Sequence, residues 1–349
     1  MALLIIKIMN IINWANSLVG GNNNGFIVGN DNIFVIVETR HALSLQLQPR
    51  QSSLIIIIFL ALVLPILSSA QTDFDGDRAF DDLVAQCDLG TREPNSTGAK
   101  AAIDFFRKTL EPLADEVHLQ NFKFADPYAD RQLNLTNIIA RFQPEKSDRI
   151  ILCAHWDTRP RAEYDKYFPG QPMIGANDGA SGVAVLLEIA RQLKQSPVNP
   201  GIDIILFDGE DYGAPGDLQY YLIGSRYYVK HPFLPLPRLV ILLDMVGDAD
   251  LTIKIDPVSY RSAPRVMEEI WSLAAEIGYD QFQLVAGAPM YDDHVPFIEM
   301  GIPAIDIIDF EYPGPDNRYW HTHDDTMDKC SPESLEAVGN TLLSWLYQQ

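Results

Sequence analysis

The sequence predicts an α/β fold: one domain with a mixed, mostly parallel central sheet flanked by helices. Three observations lead there. After Gln71, short apolar runs alternate with longer segments whose apolar residues recur at helical spacing. Two strands with alternating polarity precede the first strand–helix repeat. Several of the apolar runs end on a histidine or a carboxylate, and ligands of open α/β sheets bind at the carboxyl ends of the strands.

The elements follow in order. "DFDGDRAFDDLVAQCDLG" and "TGAKAAIDFFRKTLEPLAD" are amphipathic helices, the first closed by glycine. "VHLQNFKFAD" and "NLTNIIARFQP" alternate as antiparallel strands. "DRIILCAHWD" is a buried strand that runs apolar until His155 and Asp157. "GASGVAVLLEIARQLKQ" is a long helix with Asp178 just ahead of it. "IDIILFDGED" and "LPRLVILLDMVGD" repeat the apolar strand with an acidic end. "APRVMEEIWSLAAEIGY" is a helix and "GIPAIDIIDF" a strand. The last helix, "SPESLEAVGNTLLSWLYQ", has Ser331 as N-cap, Pro332 at its first position and Glu333 in its first turn.

Residues 1–70 have another character. Arg50 precedes an apolar run from Leu54 to Leu67 broken by Pro65, and Ser68-Ser69-Ala70 follows, the layout of a secretory signal peptide over 51–70 cleaved after Ala70. The run is shorter than the ~20 residues of a membrane span. If left uncleaved it would still anchor the chain. Residues 1–50 form a leader without a predicted fold, and residues 71–349 form the catalytic domain. A secreted or periplasmic location follows, with no stable membrane association after cleavage.

The chain carries a net charge of −21. Residues 1–70 contribute +1 (Lys7, Arg40 and Arg50 against Asp31 and Glu38), which leaves −22 on the remainder. Such a surface repels nucleic acid and anionic membranes. Of the three cysteines, Cys153 sits in an apolar strand as a core residue, and Cys87 with Cys330 could pair. Asn95-Ser96-Thr97 and Asn134-Leu135-Thr136 are glycosylation sequons, used only in a eukaryotic secretory pathway.

The strand ends supply the chemistry. "AHWDTRP" offers His155 and Asp157, "GANDGASG" Asp178, "FDGEDYG" Glu210 and Asp211, "LLDMVGD" Asp244, and "WHTHDD" His321 and His323. Taken singly, each has a plain reading: an N-cap, a solvated turn, a surface histidine. Together they place several carboxylates side by side, which is costly unless a cation compensates. Imidazole with carboxylates suits zinc, and three protein ligands with an open position mark a catalytic site. Glu210, beside a ligand but aimed elsewhere, suits a general acid/base.

This ordered set, "AHWDTRP", "GANDGASG", "FDGEDYG", "LLDMVGD" and "WHT", resembles the zinc-dependent aminopeptidase superfamily and its glutaminyl-peptide cyclotransferase branch, from about Asp73 to the C-terminus. In the aminopeptidases the resemblance implies two zinc ions, one on His155, Asp178 and Asp244, the other on Asp178, Asp211 and His321, with Glu210 activating water. In the cyclases it implies one zinc on Asp178, Asp211 and His321, with Glu210, Asp244 and Asp292 as an acidic proton network and His155 as a vestigial ligand. Two features favour the cyclase branch: Trp320 directly before His321, and "YDDHVPF" with its extra acid Asp292.

Asp211, where animal cyclases have Glu, is closer to the bacterial type. Val183 stands where animal secreted cyclases place a bridging cysteine. No tryptophan occurs in "YGAPGDLQYY", where animal cyclases carry one, and Tyr212, Tyr220 or Tyr221 would take its place.

The resemblance thus implies a zinc-dependent acyltransferase that converts N-terminal Gln of peptides or proteins to pyroglutamate, with Trp320, Met290 and Tyr319 around the substrate. A two-zinc aminopeptidase and a non-catalytic binding protein on the same scaffold are the alternatives. His323 reads as a loop residue, and Asp324 and Asp325 as polar turn residues.

Overall fold

The computed structural model describes residues 74–349, together with two short strands, β1 (Ile27–Gly29) and β2 (Asn32–Phe34), paired antiparallel. The chain divides into two units, Met1–Ser69 and Ala70–Gln349. Apart from those two strands, the predicted leader, the signal segment 51–70 and Gln71 lie outside the described residues. No helix among the described residues is long and apolar enough to cross a membrane.

The second unit opens with two capped helices. In α1 (Gly76–Asp88) the Asp75 side chain accepts from Arg78 N, and in α2 (Thr97–Leu110) Ser96 accepts from Ala99 N, each at 2.9 Å. Each bond satisfies an N–H that the helix leaves without a partner. The long hairpin β3 (Glu116–Ala125) and β4 (Gln132–Phe142) follows, then β5 (Arg149–His155), α3 (Ser181–Gln195), β6 (Gly201–Phe207), α4 (Ile223–Lys230) and β7 (Leu239–Asp244). The chain continues through β8 (Ile253–Ile255), α5 (Pro257–Ser262), α6 (Pro264–Ile277), β9 (Phe282–Ala286), α7 (Val295–Glu299), β10 (Ala304–Ile308) and α8 (Pro332–Leu346). As read from sequence, Ser331 caps α8, accepting from Ser334 N at 3.1 Å.

Six strands form one sheet in the order β10-β7-β5-β6-β4-β3. β10, β7, β5 and β6 run parallel, and β4 and β3 add antiparallel to one side. All residues of β5, β6 and β7 are buried, because helices cover both faces. Their side chains alternate between two cores. Ile150, Leu152, Ile204 and Ile241 face α1, α2, α3 and α8, while Ile151, Cys153, Ile205 and Val240 join Tyr228 of α4 and Phe297 of α7. Each fully buried aliphatic side chain contributes about 1.5–3 kcal/mol of transfer free energy. At Gly182 helix α3 lies so close to β7 that a Cβ would stand 2.2 Å from the Leu243 carbonyl oxygen.

Cys87, Cys153 and Cys330 are buried free thiols, so the Cys87–Cys330 pairing left open by the sequence is not made. The sequence pattern also missed β8 and β9, a short parallel pair outside the main sheet. Three residues are too few for periodicity to register, and β9 is exposed over most of its length.

The topology positions the site. From β5 the chain passes through α3 to β6 on one side, then returns to β7 on the other. The carboxyl end of β5 is therefore a switch point where flanking loops part, with His155 on its last residue.

Candidate active site

Each acid at a strand end is held by neighbours in sequence or space. Gly209 at the end of β6 takes φ 75°, which turns the chain sharply into the 3₁₀ turn of Glu210 and Asp211. Asp157 steadies that turn, accepting from Glu210 N at 3.0 Å and Asp211 N at 3.3 Å. Asp178 lies three residues before α3, whose N-cap is Ala180, so its carboxylate is not used as a helix cap. Gly179 follows at φ 105°, where a Cβ would meet the Asp157 carbonyl at 2.5 Å. His321 itself adopts φ 55°, a strained conformation for a non-glycine residue.

These devices bring two ligand groups together. His155, Asp178 and Asp244 form one set, and Asp178, Asp211 and His321 the other; within each set the potential ligand atoms lie within 4.8 Å of one another. His155 Nε2 is 3.2 Å from Asp178 and 3.1 Å from Asp244. His321 Nε2 is 3.5 Å from both Asp178 Oδ2 and Asp211 Oδ2. Those two carboxylate oxygens are buried without a hydrogen-bond partner, as expected of atoms that complete a cation's shell. The residues present therefore fit a metal with nitrogen and oxygen ligands.

The electrostatics separate the acids. Burial pushes the Glu210 carboxyl well above its usual range, and the charges of Asp292 and Asp211 push the same way. Burial, then Asp244, raise Asp292 to about 7. Asp244 is raised by burial although His155 opposes it, and it shares a hydrogen bond with Asp292. At Asp178 burial acts upward but His155 prevails, so its carboxylate lies below the usual range. Glu210, partly open to the pocket, thus belongs to a cluster of like charges that favours retaining a proton.

Above the acids lies a pocket of about 270 Å³ walled by Tyr221, Met290, Phe310 and Trp320. The Trp320 ring stacks on His321 at 3.8 Å between centroids and meets Phe310 edge-on at 5.0 Å. Of the three tyrosines that could replace the missing tryptophan, Tyr221 lines the pocket. Tyr319 does not: its ring packs edge-on against Tyr312, with Lys329 over its face.

Four residues that the sequence did not place in the site organise it. Arg159, fully buried, donates to the Asp211 carbonyl at 3.0 Å, to its carboxylate at 2.5 Å, and to Glu163. Glu163 in turn accepts from His321 Nδ1 at 3.1 Å. Arg159 and Glu163 lie in an irregular loop, where a four-residue spacing carries no signal of a pair. Asp256 accepts from Met290 N at 3.0 Å while capping α5, which ties the pocket wall to that helix. Asp325 is not the polar turn residue expected. It is buried, accepting from Asn177 N at 2.8 Å, Asp178 N at 3.1 Å and the Tyr312 hydroxyl at 2.9 Å. His323 sits in a loop, paired with Asp165 at 3.0 Å.

With this geometry on hand, the chain can be set beside known proteins. The profile of peptidase family M28 matches residues 137–346. The glutaminyl-peptide cyclotransferase of Gloydius blomhoffii is 26% identical over 293 residues, spanning 72% of this chain and 75% of its own. Among solved structures, the glutaminyl cyclase of Porphyromonas gingivalis superposes with a TM-score of 0.76 at 36% identity, covering 79% of this chain and 99% of its own. A Zn-dependent exopeptidase from Parabacteroides distasonis gives the same TM-score and identity over 80% and 100%.

Proposed function

We infer that this chain, which belongs to peptidase family M28, is a glutaminyl-peptide cyclotransferase that turns an N-terminal glutamine into pyroglutamate and releases ammonia. The observation that carries the reading is the hydrogen-bonded acid pair Asp244 and Asp292, set beside Glu210 under a Trp320-walled pocket. An acid cluster that shares protons serves a reaction whose main task is to move one.

In the reaction the α-amine nitrogen bonds to the side-chain amide carbon, and the bond from that carbon to its amide nitrogen breaks. Both groups belong to one residue, so the pocket has only to fold the side chain back on its amine. Trp320 and Met290 supply apolar walls for the methylenes. Glu210 accepts the proton that leaves the attacking amine and delivers it to the departing nitrogen, which exits as ammonia. Asp244 and Asp292 hold Glu210 in a setting where either protonation state is accessible. Asp178, Asp211 and His321 would hold one zinc ion, which when bound polarises the amide carbonyl and stabilises negative charge on its oxygen.

Exported peptides and proteins that begin with glutamine are the substrates in this reading. Export rests on the sequence of residues 51–70.

A second reading, a two-zinc aminopeptidase, is favoured by one observation: the His155, Asp178 and Asp244 set is intact. Parallel assays separate the two. The purified chain is given a glutamine-initiated dipeptide and a leucine-initiated chromogenic substrate. Ammonia release without leucine cleavage is expected, with about one zinc per chain. Leucine cleavage alone, with two zinc ions, would establish the aminopeptidase instead.

A further inference from the structure

Between β5 and α3 the chain makes a loop whose aromatic residues have no place in the chemistry described so far. Tyr164, Tyr167 and Phe168 are 55%, 73% and 64% exposed. Single exposed aromatics are common, but three within five residues form a patch that water solvates poorly. The loop is nonetheless well built. Ala162 N donates to the Gln171 carbonyl at 2.8 Å, and Gln171 N to that of Phe168 at 3.1 Å. Asp165 accepts from both Tyr167 N and Phe168 N at 2.8 Å, and its other oxygen takes His323 N at 3.1 Å. These bonds turn the polar groups inward and leave the rings outside.

The patch continues from the catalytic pocket. The Tyr164 ring lies 5.4 Å from that of Trp320, which walls the pocket, and parallel to that of His321 at 5.9 Å. Phe168 stands edge-on to His323 at 6.2 Å. Tyr164 therefore carries the aromatic pocket wall onto the loop whose next turn bears Tyr167 and Phe168. We propose that this strip, Tyr164, Tyr167 and Phe168, receives apolar and aromatic side chains on the residues that follow the N-terminal glutamine of a peptide substrate.

This rests on the cyclotransferase reading, which seats one glutaminyl residue in a pocket of about 270 Å³ and obliges the rest of the peptide to cross the rim. An extended peptide advances about 3.4 Å per residue, so the residue that follows the glutamine already reaches past Trp320 to Tyr164, 5.4 Å away between ring centroids. Charge points the same way. The pocket floor is acidic, so acidic residues directly behind the glutamine are repelled there and uncharged apolar ones are not, while Lys166 Nζ lies over the Tyr167 ring at 5.3 Å.

The test compares ammonia release from Gln-Phe-Phe, Gln-Gly-Gly and Gln-Glu-Glu by the zinc-loaded enzyme and its Tyr167→Ser/Phe168→Ser variant. The wild type is expected to favour Gln-Phe-Phe over Gln-Gly-Gly by about tenfold in kcat/KM, mostly through KM, with Gln-Glu-Glu lowest. The variant is expected to lose the aromatic preference while its turnover of Gln-Gly-Gly stays unchanged. Equal rates on the two neutral peptides, or a preference that survives in the variant, would overturn the proposal.

Sedimentation of both proteins provides a second arm. A wild-type dimer that the substitutions convert to monomer would assign the strip to a second copy of the chain and also overturn it. If no glutamine peptide is turned over, the cyclotransferase reading fails by itself. Leu-Phe-Phe and Leu-Gly-Gly hydrolysis then tests the strip by the same comparison.

Discussion

Glu163 accepts a hydrogen bond from His321 Nδ1 at 3.1 Å, which leaves Nε2 of the same ring facing Asp178 and Asp211. Burial acts to raise the Glu163 carboxyl, but its bonds to His321 and Arg159 prevail and hold it at about 2. As a carboxylate it accepts from Nδ1, which orients the ring with Nε2 turned to the two aspartates.

Replacing Glu163 with alanine frees the imidazole to rotate and leaves Arg159 with one partner fewer. Such losses behind a ligand typically cost 10–100-fold in metal affinity. Competition with a chromogenic chelator should therefore show zinc held about 10–100-fold more weakly in Glu163→Ala, and less so in Glu163→Gln, which retains an acceptor. Activity should return when zinc is supplied in excess. Unchanged affinity would mean that the His321 ring is fixed by its stack on Trp320 alone.

Glu210 is bracketed by Asp292 and Asp211 but belongs to neither ligand set. Glu210→Gln preserves its shape and removes its ability to carry the proton. Turnover of a glutamine dipeptide should fall by at least about 10²–10⁴-fold, the usual contribution of a general acid/base. Zinc content by elemental analysis should stay at the wild-type level. A variant that loses zinc would move Glu210 into the ligand set.

Trp320 both walls the pocket and stacks on His321. Trp320→Ala removes an apolar wall worth about 1.5–3 kcal/mol, so KM for a glutamine dipeptide should rise by about 10–100-fold. Trp320→Phe keeps a ring against the imidazole and should recover most of that loss. If KM is unmoved while zinc affinity falls, Trp320 acts on the ligand and not on the substrate.

The strands, the helices and the strand-end acids were legible because each leaves a local trace. β5, β6 and β7 read as mostly apolar runs, Asp203 in β6 apart, since both faces are covered, and an acid that ends such a run stands out against it. Asp325 left no comparable trace. Among "THDDTMD" it looks solvated, and only the approach of Asn177 and Asp178 from far along the chain makes it a buried acceptor. Asp256 is similar: its local pattern is that of an N-cap, and nothing nearby signals the bond to Met290 N. Tyr319 shows the converse. Its place beside Trp320 suggested the pocket, but its ring packs edge-on against Tyr312 with Lys329 over its face. Local patterns reveal which residues are unusual for their element, whereas partners distant in sequence emerge only with the fold.

Asp309, just beyond β10, ties the folded state to pH at a distance from the ligands. It is fully buried, accepting from Thr252 N at 2.7 Å and Glu311 N at 3.0 Å. Burial, aided by the charges of Asp248 and Glu311, outweighs those two bonds and raises its carboxyl to about 7. In the unfolded chain an aspartate titrates near 3.9. Between these values the native state holds a proton that the unfolded state has released, so this group's stabilisation is full at low pH and is lost as pH rises toward 7. The slope is at most about 1.4 kcal/mol per pH unit.

Asp309→Asn cannot titrate. It gives up one acceptor, a roughly constant cost of about 1 kcal/mol. Urea unfolding of both proteins from pH 4.5 to 7.5 should therefore show the stability of the wild type relative to the variant declining as pH rises, since the remaining titrations are common to both. Parallel stability curves would mean that Asp309 is ionised across the whole range and that its two backbone N–H groups, rather than burial, govern it.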